Sequence, residues 1–236
     1  DETRNSYAGE KMSAEIHLLK GMIREFEEER VWGFFGIESS NIHHLRLGFY
    51  TGDIFTQQPT RDRDVLPVLE QLRKIRPTVI SLAFDPEGSG PDTHYKVLQT
   101  IAEAVREWSD EEDLSELKIW GYRNVWFRFL PSEATHIVPV SLNAMGVFDN
   151  AFSNCYASQV DASFPSYMLD GKFSDLAKRI WVDQLSQVQH VLGKPFFYQN
   201  ASPRIRTTHG LLFFKEMAVN EFLDSARELQ KSVGGD

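Results

Sequence analysis

The sequence predicts an α/β domain with a Rossmann-like, mainly parallel sheet that is flanked by helices. Strands and helices alternate through residue 108, which is typical of this class. A short apolar run with β-branched residues at 78–84 predicts a buried strand, and an acidic loop and an amphipathic helix follow it. In open α/β sheets, ligands bind beyond the carboxyl ends of the strands. We therefore expect the functional site in the loop after residue 84.

The other elements follow from apolar spacing and from turn residues. Residues 1–9 are polar and are expected to be disordered or extended. Ile16, Leu19, Ile23 and Phe26 recur at helical spacing, and the charged run 24–30 on this helix is expected to be a solvated face. The predicted elements are helices at 10–29, 64–75, 93–108, 141–158, 173–192 and 219–231, and strands or extended segments at 43–49, 78–84, 118–121, 125–129, 135–140 and 211–214.

Length and composition exclude several classes of protein. The 236 residues form one domain in this interpretation, with core βα units over 10–108 and a C-terminal extension over 109–236. The formal net charge of −9 argues against a general nucleic-acid or anionic-membrane binder. No apolar run approaches the roughly 20 residues that span a bilayer. A single cysteine, Cys155, excludes an intrachain disulfide and favours a reducing cytoplasm.

Four candidate residues cluster around the loop after the central strand. Asp85, Glu87, Asp92 and His94 should all lie at the carboxyl edge of the sheet. Carboxylates and a neutral imidazole suit a divalent metal such as zinc. Acids near a helix start also cap the helix and complement its dipole, in which case His94 is a surface histidine. Both interpretations remain open on spacing alone.

A second candidate site is a pair of arginines near the C-terminus. Arg204 and Arg206 flank Ile205, so an extended chain would place both on one side. Two guanidinium groups there could hold a phosphate, or they could pair with surface acids. The sequence has no P-loop, no G-x-G-x-x-G, no G-x-S-x-G and no cysteine pair, so nucleotide binding, serine-hydrolase chemistry and a zinc finger lack support.

Several stretches resemble the LmbE-like, PIG-L-type de-N-acetylase family over about residues 23–231. The segment 72–77, the strand after it, residues 90–97 and the stretch 44–50 match the family's middle and second motifs. Three further stretches resemble the branch that forms the carboxy-terminal half of glucosamine-6-phosphate deaminase-like proteins: WGYRNVW at 120–126, DASFPSY at 161–167 and IRTTHG at 205–210.

The resemblance implies a zinc amidase that removes acetyl groups from N-acetylglucosamine-type substrates. It implies that His94 is a metal ligand, that Asp92 acts beside it as a catalytic carboxylate, and that Asp85 and Glu87 line the cleft. From their spacing, and not from the resemblance, Arg204 and Arg206 are the candidate substrate-binding residues. The expected partners are an amino-sugar substrate and an upstream domain of the same polypeptide, and a homo-oligomer is also compatible.

Two departures from the family pattern limit this expectation. The family's opening His-Pro-Asp-Asp motif, which supplies two metal ligands and the base, is absent, and Pro91 stands where the family often has a histidine. Because the first residue is Asp1 rather than Met, we expect a fragment or processed product that lacks its N-terminal strand–helix unit. A zinc hydrolase needs three protein ligands, so the chain alone is expected to be inactive. The alternative is a non-catalytic sugar-phosphate-binding or scaffold domain of a glucosamine-6-phosphate deaminase assembly.

Overall fold

A computed structural model describes residues 13–49, 56–85, 92–123, 125, 127–162, 164 and 170–234. Within these residues, helices surround one open mixed sheet. In chain order the elements are α1 (Ala14–Phe34), a 3₁₀ turn (Ser39–Asn41), a π-helical turn (Arg61–Val65), α2 (Leu66–Ile75), β1 (Val79–Ala83), α3 (Asp92–Ser109), β2 (Lys118–Tyr122), β3 (His136–Ser141), α4 (Leu142–Cys155), α5 (Phe173–Leu192), α6 (Lys194–Tyr198), α7 (Pro203–Arg206), β4 (Thr208–Ala218) and α8 (Val219–Gly234).

The sheet has the strand order β1-β2-β4-β3 in the described part of the chain. β1 and β2 are parallel and are joined through α3, so this part is the predicted strand–helix–strand unit. The pairings of β2 with β4 and of β3 with β4 are antiparallel. The predicted parallel character is therefore present at one of these three pairings, and the domain is a mixed α/β fold.

The main core lies where α2, α3 and α8 pack near β1 and β2. Leu69 and Val105 are fully buried, as are Ile119 on β2 and Phe222 on α8. α3 contributes to this core because its apolar residues recur on one face. A smaller cluster forms around Leu176 on α5. α3 therefore packs against β1, and its first turn carries His94.

The strand predicted over 43–49 is wrong: residues 42–47 have no regular secondary structure, and a turn follows at Gly48 and Phe49. Arg46 has a φ of 51°, in the left-handed region, and this interrupts an extended backbone. The apolar side chains are nevertheless used, since Phe49 is buried and Leu45 and Leu47 pack against the core. The segment predicted as extended over 125–129 also forms no strand in its described residues.

Candidate functional site

The carboxyl ends of β1 and β2 lie side by side, with Ala83 paired with Tyr122. Asp85 follows β1 directly, and α3 begins at Asp92. His94 lies in the first turn of that helix, so its imidazole reaches the same edge. This is the placement that strand, loop and helix spacing predicts for Asp85, Asp92 and His94. Glu87 lies outside the described residues.

His94 contacts the carboxylate of Asp85. Its Nδ1 is 3.3 Å from Oδ2 of Asp85. The Asp85 side chain is 5% exposed, whereas that of His94 is 33% exposed, so a buried carboxylate lies behind a partly open ring. A carboxylate in this position favours the proton on Nδ1 and fixes the plane of the ring.

Asp92 faces a different set of partners. Its Oδ2 accepts from Nζ of Lys96 at 2.6 Å and from the hydroxyl of Thr56 at 2.5 Å. The hydrogen bond from Lys96, followed by that from Thr56, lowers the pKa of Asp92. Lys96 is buried and also donates to the carbonyl of Thr56. The carboxylate that contacts His94 is therefore Asp85 rather than Asp92, and a catalytic role for Asp92 stays a prediction.

A cavity of about 830 Å³ lies against this edge. It is bounded by the end of β1, the first turns of α3, the C-terminal half of α1, and α4 with the residues that follow it. One part of its lining is polar and another is aromatic. The polar lining residues are Glu28, Ser81, Thr93, His94, Tyr122, Tyr156 and Gln159, and the phenylalanines are Phe35, Phe148, Phe152, Phe164 and Phe173.

Glu28 and Tyr156 form a polar pair that the sequence does not indicate. The hydroxyl of Tyr156 donates to Oε2 of Glu28 at 2.5 Å. Burial, and then this hydrogen bond, raises the pKa of Tyr156, so the phenol remains a neutral donor. The pair joins α1 to the segment after α4 on one wall of the cavity.

The neighbouring Glu27 corrects the prediction that residues 24–30 form a solvated face. Glu27 is 3% exposed. Its two carboxylate oxygens accept from the backbone N–H and the hydroxyl of Ser158, each at 2.7 Å. Its contact with Arg24 is an i,i+3 pair at 3.6 Å. The position of Glu27 within the helix is the one sequence feature related to this contact. Its partner Ser158 is 131 residues away, so no local pattern predicts the pairing.

The described aromatic residues in 120–129 have different environments: some pack in the core or on the sheet, and one lines the cavity. Phe129 is buried, and the guanidinium of Arg123 lies 4.1 Å from its ring centre. Trp120 donates to Glu216 and packs against Phe214. Tyr122 alone of these described aromatics lines the cavity. Trp126 lies outside the described residues.

Arg204 and Arg206 do not have the geometry that was predicted for them. They lie in the short helix α7 rather than in an extended chain. Residues two apart on a helix do not face each other, so the same-side arrangement is wrong. Arg206 donates to the carbonyls of Asn200 and Ala201, each at 2.8 Å. Neither arginine lines the cavity, and their role in substrate binding stays a prediction.

The described residues do not by themselves supply a zinc site. No group of three or more His, Cys, Asp or Glu side chains converges among them. A protein zinc site takes three or four such ligands, and His94 with Asp85 offers one imidazole and one carboxylate. The zinc prediction therefore depends on residues outside this set.

The fold and the cavity define a mixed α/β domain with a candidate ligand site at the carboxyl edge of its parallel strand pair. No family model matches the chain, and no solved structure matches it. A glucosamine-6-phosphate deaminase-like protein of Bacteroides thetaiotaomicron is 30% identical over 138 residues. The match covers 56% of this chain and 20% of that protein, so the chain spans about a fifth of the relative's length. In the described helices, none is long and apolar enough to cross a membrane.

Proposed function

We propose that this chain is the amino-sugar-binding part of a larger amino-sugar enzyme, and that the sugar binds in the cavity beside His94. The observation that carries the proposal is the cavity itself. It lies at the carboxyl edge of β1 and β2, and its volume of about 830 Å³ is within the usual range for small-ligand sites. The name of the Bacteroides thetaiotaomicron relative supports an amino sugar as the ligand class.

The lining of the cavity suits a sugar ring. Apolar faces of a pyranose pack on aromatic side chains, which the phenylalanines supply. Hydroxyl groups need donors and acceptors at fixed positions, and Thr93, His94 and Tyr122 offer them at the sheet edge. The His94 ring is held by Asp85, so it is oriented before a ligand arrives.

Calorimetric titration of the chain with glucosamine, N-acetylglucosamine and glucosamine 6-phosphate tests this proposal. At least one of these ligands should bind, and His94→Gln should weaken that binding about tenfold because one oriented hydrogen bond is lost. His190→Gln is the matched control, since His190 is exposed on α5 and lies outside the cavity lining. If none of the three sugars binds, or if both histidine variants behave alike, the cavity is not the sugar site.

A second candidate is a zinc-dependent de-N-acetylase of N-acetylglucosamine-type substrates. The contact between His94 and Asp85 favours it, because metal-bound imidazoles usually have a carboxylate on the other ring nitrogen. In the described residues, β1 pairs on one side only, so its other edge can accept a further strand. An upstream strand of the same polypeptide at that edge would bring the missing ligands close to His94.

The two candidates predict different zinc binding by a longer protein that carries the proposed upstream strand. Under the deacetylase proposal, the longer protein binds zinc and releases acetate from N-acetylglucosamine, and His94→Ala abolishes both. Zinc binding that is unchanged in His94→Ala would contradict this role. If the longer protein binds sugar but releases no acetate, the result would favour the first candidate, a sugar-binding domain without deacetylase activity.

A further inference from the structure

The cavity carries negative charge on the wall that α1 forms, where Glu28 lies beside aromatic residues. Glu28 belongs to the lining, and Asp85 lies behind His94 with its side chain nearly buried. Among the lining residues that the structure describes, none is a lysine or an arginine. Two cations lie near this edge outside the lining: Lys96 is engaged by Asp92 and Thr56, and Arg123 pairs with Glu133. A concave site that is lined by charge of one sign concentrates ligands of the opposite sign.

Glu28 retains accepting capacity towards a ligand. Tyr156 donates to Oε2, and a carboxylate has about four lone-pair positions over its two oxygens. Tyr156 is fixed in turn by packing against Phe152, whose ring centre lies 5.5 Å away. The hydrogen bond from Tyr156 therefore restrains the Glu28 carboxylate at the cavity wall.

We infer that Glu28 selects ligands that carry a protonated primary amine, so the cavity takes a free amino sugar in preference to its N-acetylated form, and that the same negative charge disfavours the 6-phosphate. This inference rests on the proposed function and names the substrate class of the same site. An ammonium group forms charge-assisted hydrogen bonds with the Glu28 carboxylate, whereas an acetamide is neutral and a phosphate is repelled. In a deacetylase, the same residue would hold the product amine.

Parallel titrations with glucosamine, glucose, N-acetylglucosamine and glucosamine 6-phosphate test the selection. Glucose differs from glucosamine by a hydroxyl in place of the amine, so the ratio of their affinities isolates the charge. At a pH of about 6, where a primary amine is protonated, the full chain should bind glucosamine roughly tenfold more tightly than glucose or N-acetylglucosamine. Glucosamine 6-phosphate should bind more weakly than glucosamine.

Glu28→Gln keeps the shape of the side chain and removes its charge, so the ratio of glucosamine to glucose affinity should fall to about one. Glu29→Gln removes the same charge one residue along α1, outside the cavity lining, and should leave the ratio unchanged. Circular dichroism checks that both variants fold. Because the wild-type ratio is itself a test, the inference can be contradicted even if Glu28→Gln is unstable.

The outcomes separate this inference from the proposal on which it rests. If no sugar binds, the proposed function fails. If sugars bind but wild-type protein binds glucose or N-acetylglucosamine as tightly as glucosamine, the sugar site stands and the amine selection is overturned. Tighter binding of glucosamine 6-phosphate than of glucosamine would also overturn the amine selection. The same holds if a folded Glu28→Gln variant keeps the wild-type ratio of glucosamine to glucose affinity.

Discussion

Helices α1 and α3 have similar lengths, but most apolar side chains of α3 are buried and most of those of α1 are exposed. α3 buries Leu98, Ala104, Val105 and Trp108, each at 2% exposure or less. Glu27 is the one buried residue of α1, and the large apolar side chains along α1 are exposed, with Leu18 at 66%, Met22 at 56% and Phe26 at 60%. A periodic apolar pattern thus predicts a helix in both cases, but it does not predict burial.

The difference lies in what each helix contacts. α3 packs against α2, α8 and β1, so its apolar stripe is removed from water on several sides. α1 contacts α4 and is joined to the segment after it through the polar contacts of Glu27 and Glu28. Helix α3 is therefore held by hydrophobic packing, whereas α1 depends more on hydrogen bonds made by carboxylates.

The largest expected effect comes from removing the same side chain from each helix. Leu98→Ala should reduce the free energy of unfolding by about 2–5 kcal/mol, because Leu98 is 2% exposed and its loss leaves a cavity. Leu18→Ala should change it by no more than about 0.5 kcal/mol, because Leu18 is mostly exposed. Urea denaturation followed by circular dichroism measures both. Equal losses would show that the α1 face is covered in solution.

An intermediate effect is expected at the attachment of α1. Glu27→Ala leaves the N–H and hydroxyl of Ser158 without their acceptor and should cost about 1–3 kcal/mol. Amide hydrogen exchange should show α1 losing protection before α3 does, since the attachment is local. Glu29→Ala is the control, because the Glu29 side chain is 44% exposed and its contact with His44 is 3.5 Å long. Matching exchange in the two variants would refute the role of Glu27.

Elements with local signals could be predicted from the sequence. The helix predicted at 173–192 has the bounds of α5, because Gly193 followed by Pro195 is a local stop signal. In the structure Gly193 has a φ of 78°, as this stop requires. β1, α3 and the edge position of His94 and Asp85 likewise follow from a strand, a loop and a helix in sequence. The turn at Arg46 gave no such signal, since arginine seldom adopts a positive φ.

Features that depend on remote contacts could not be predicted. β4 pairs antiparallel between β2 and β3, although it lies far along the chain from β2. Glu28 and Tyr156 are 128 residues apart in the sequence. Periodicity and capping describe neighbours along the chain, so they carry no information on such pairings.

The smallest expected effect concerns acid and the first turn of α3. Lys96 foremost, and then Thr56, holds the pKa of Asp92 below its ordinary value of 3.8. A carboxylate whose pKa is depressed by folding stabilises the protein above its unfolded pKa, and this stabilisation is lost as the pH falls through the folded pKa. The Asp92 side chain is 56% exposed, so solvent screening limits the contribution to about 1 kcal/mol or less.

Comparison of wild type with Asp92→Asn in urea at several pH values measures this contribution. At a pH of about 6 the wild type should be the more stable, and the part of the difference that comes from ionisation of Asp92, about 1 kcal/mol or less, should disappear below a pH of about 4 as the carboxylate becomes protonated. Asp62→Asn serves as the control, because the Asp62 side chain is 90% exposed and its contact with Arg61 is 3.5 Å long. A difference for Asp92→Asn that stays constant from neutral to acid pH would mean that hydrogen-bond geometry, rather than ionisation of Asp92, stabilises the start of α3 beside His94.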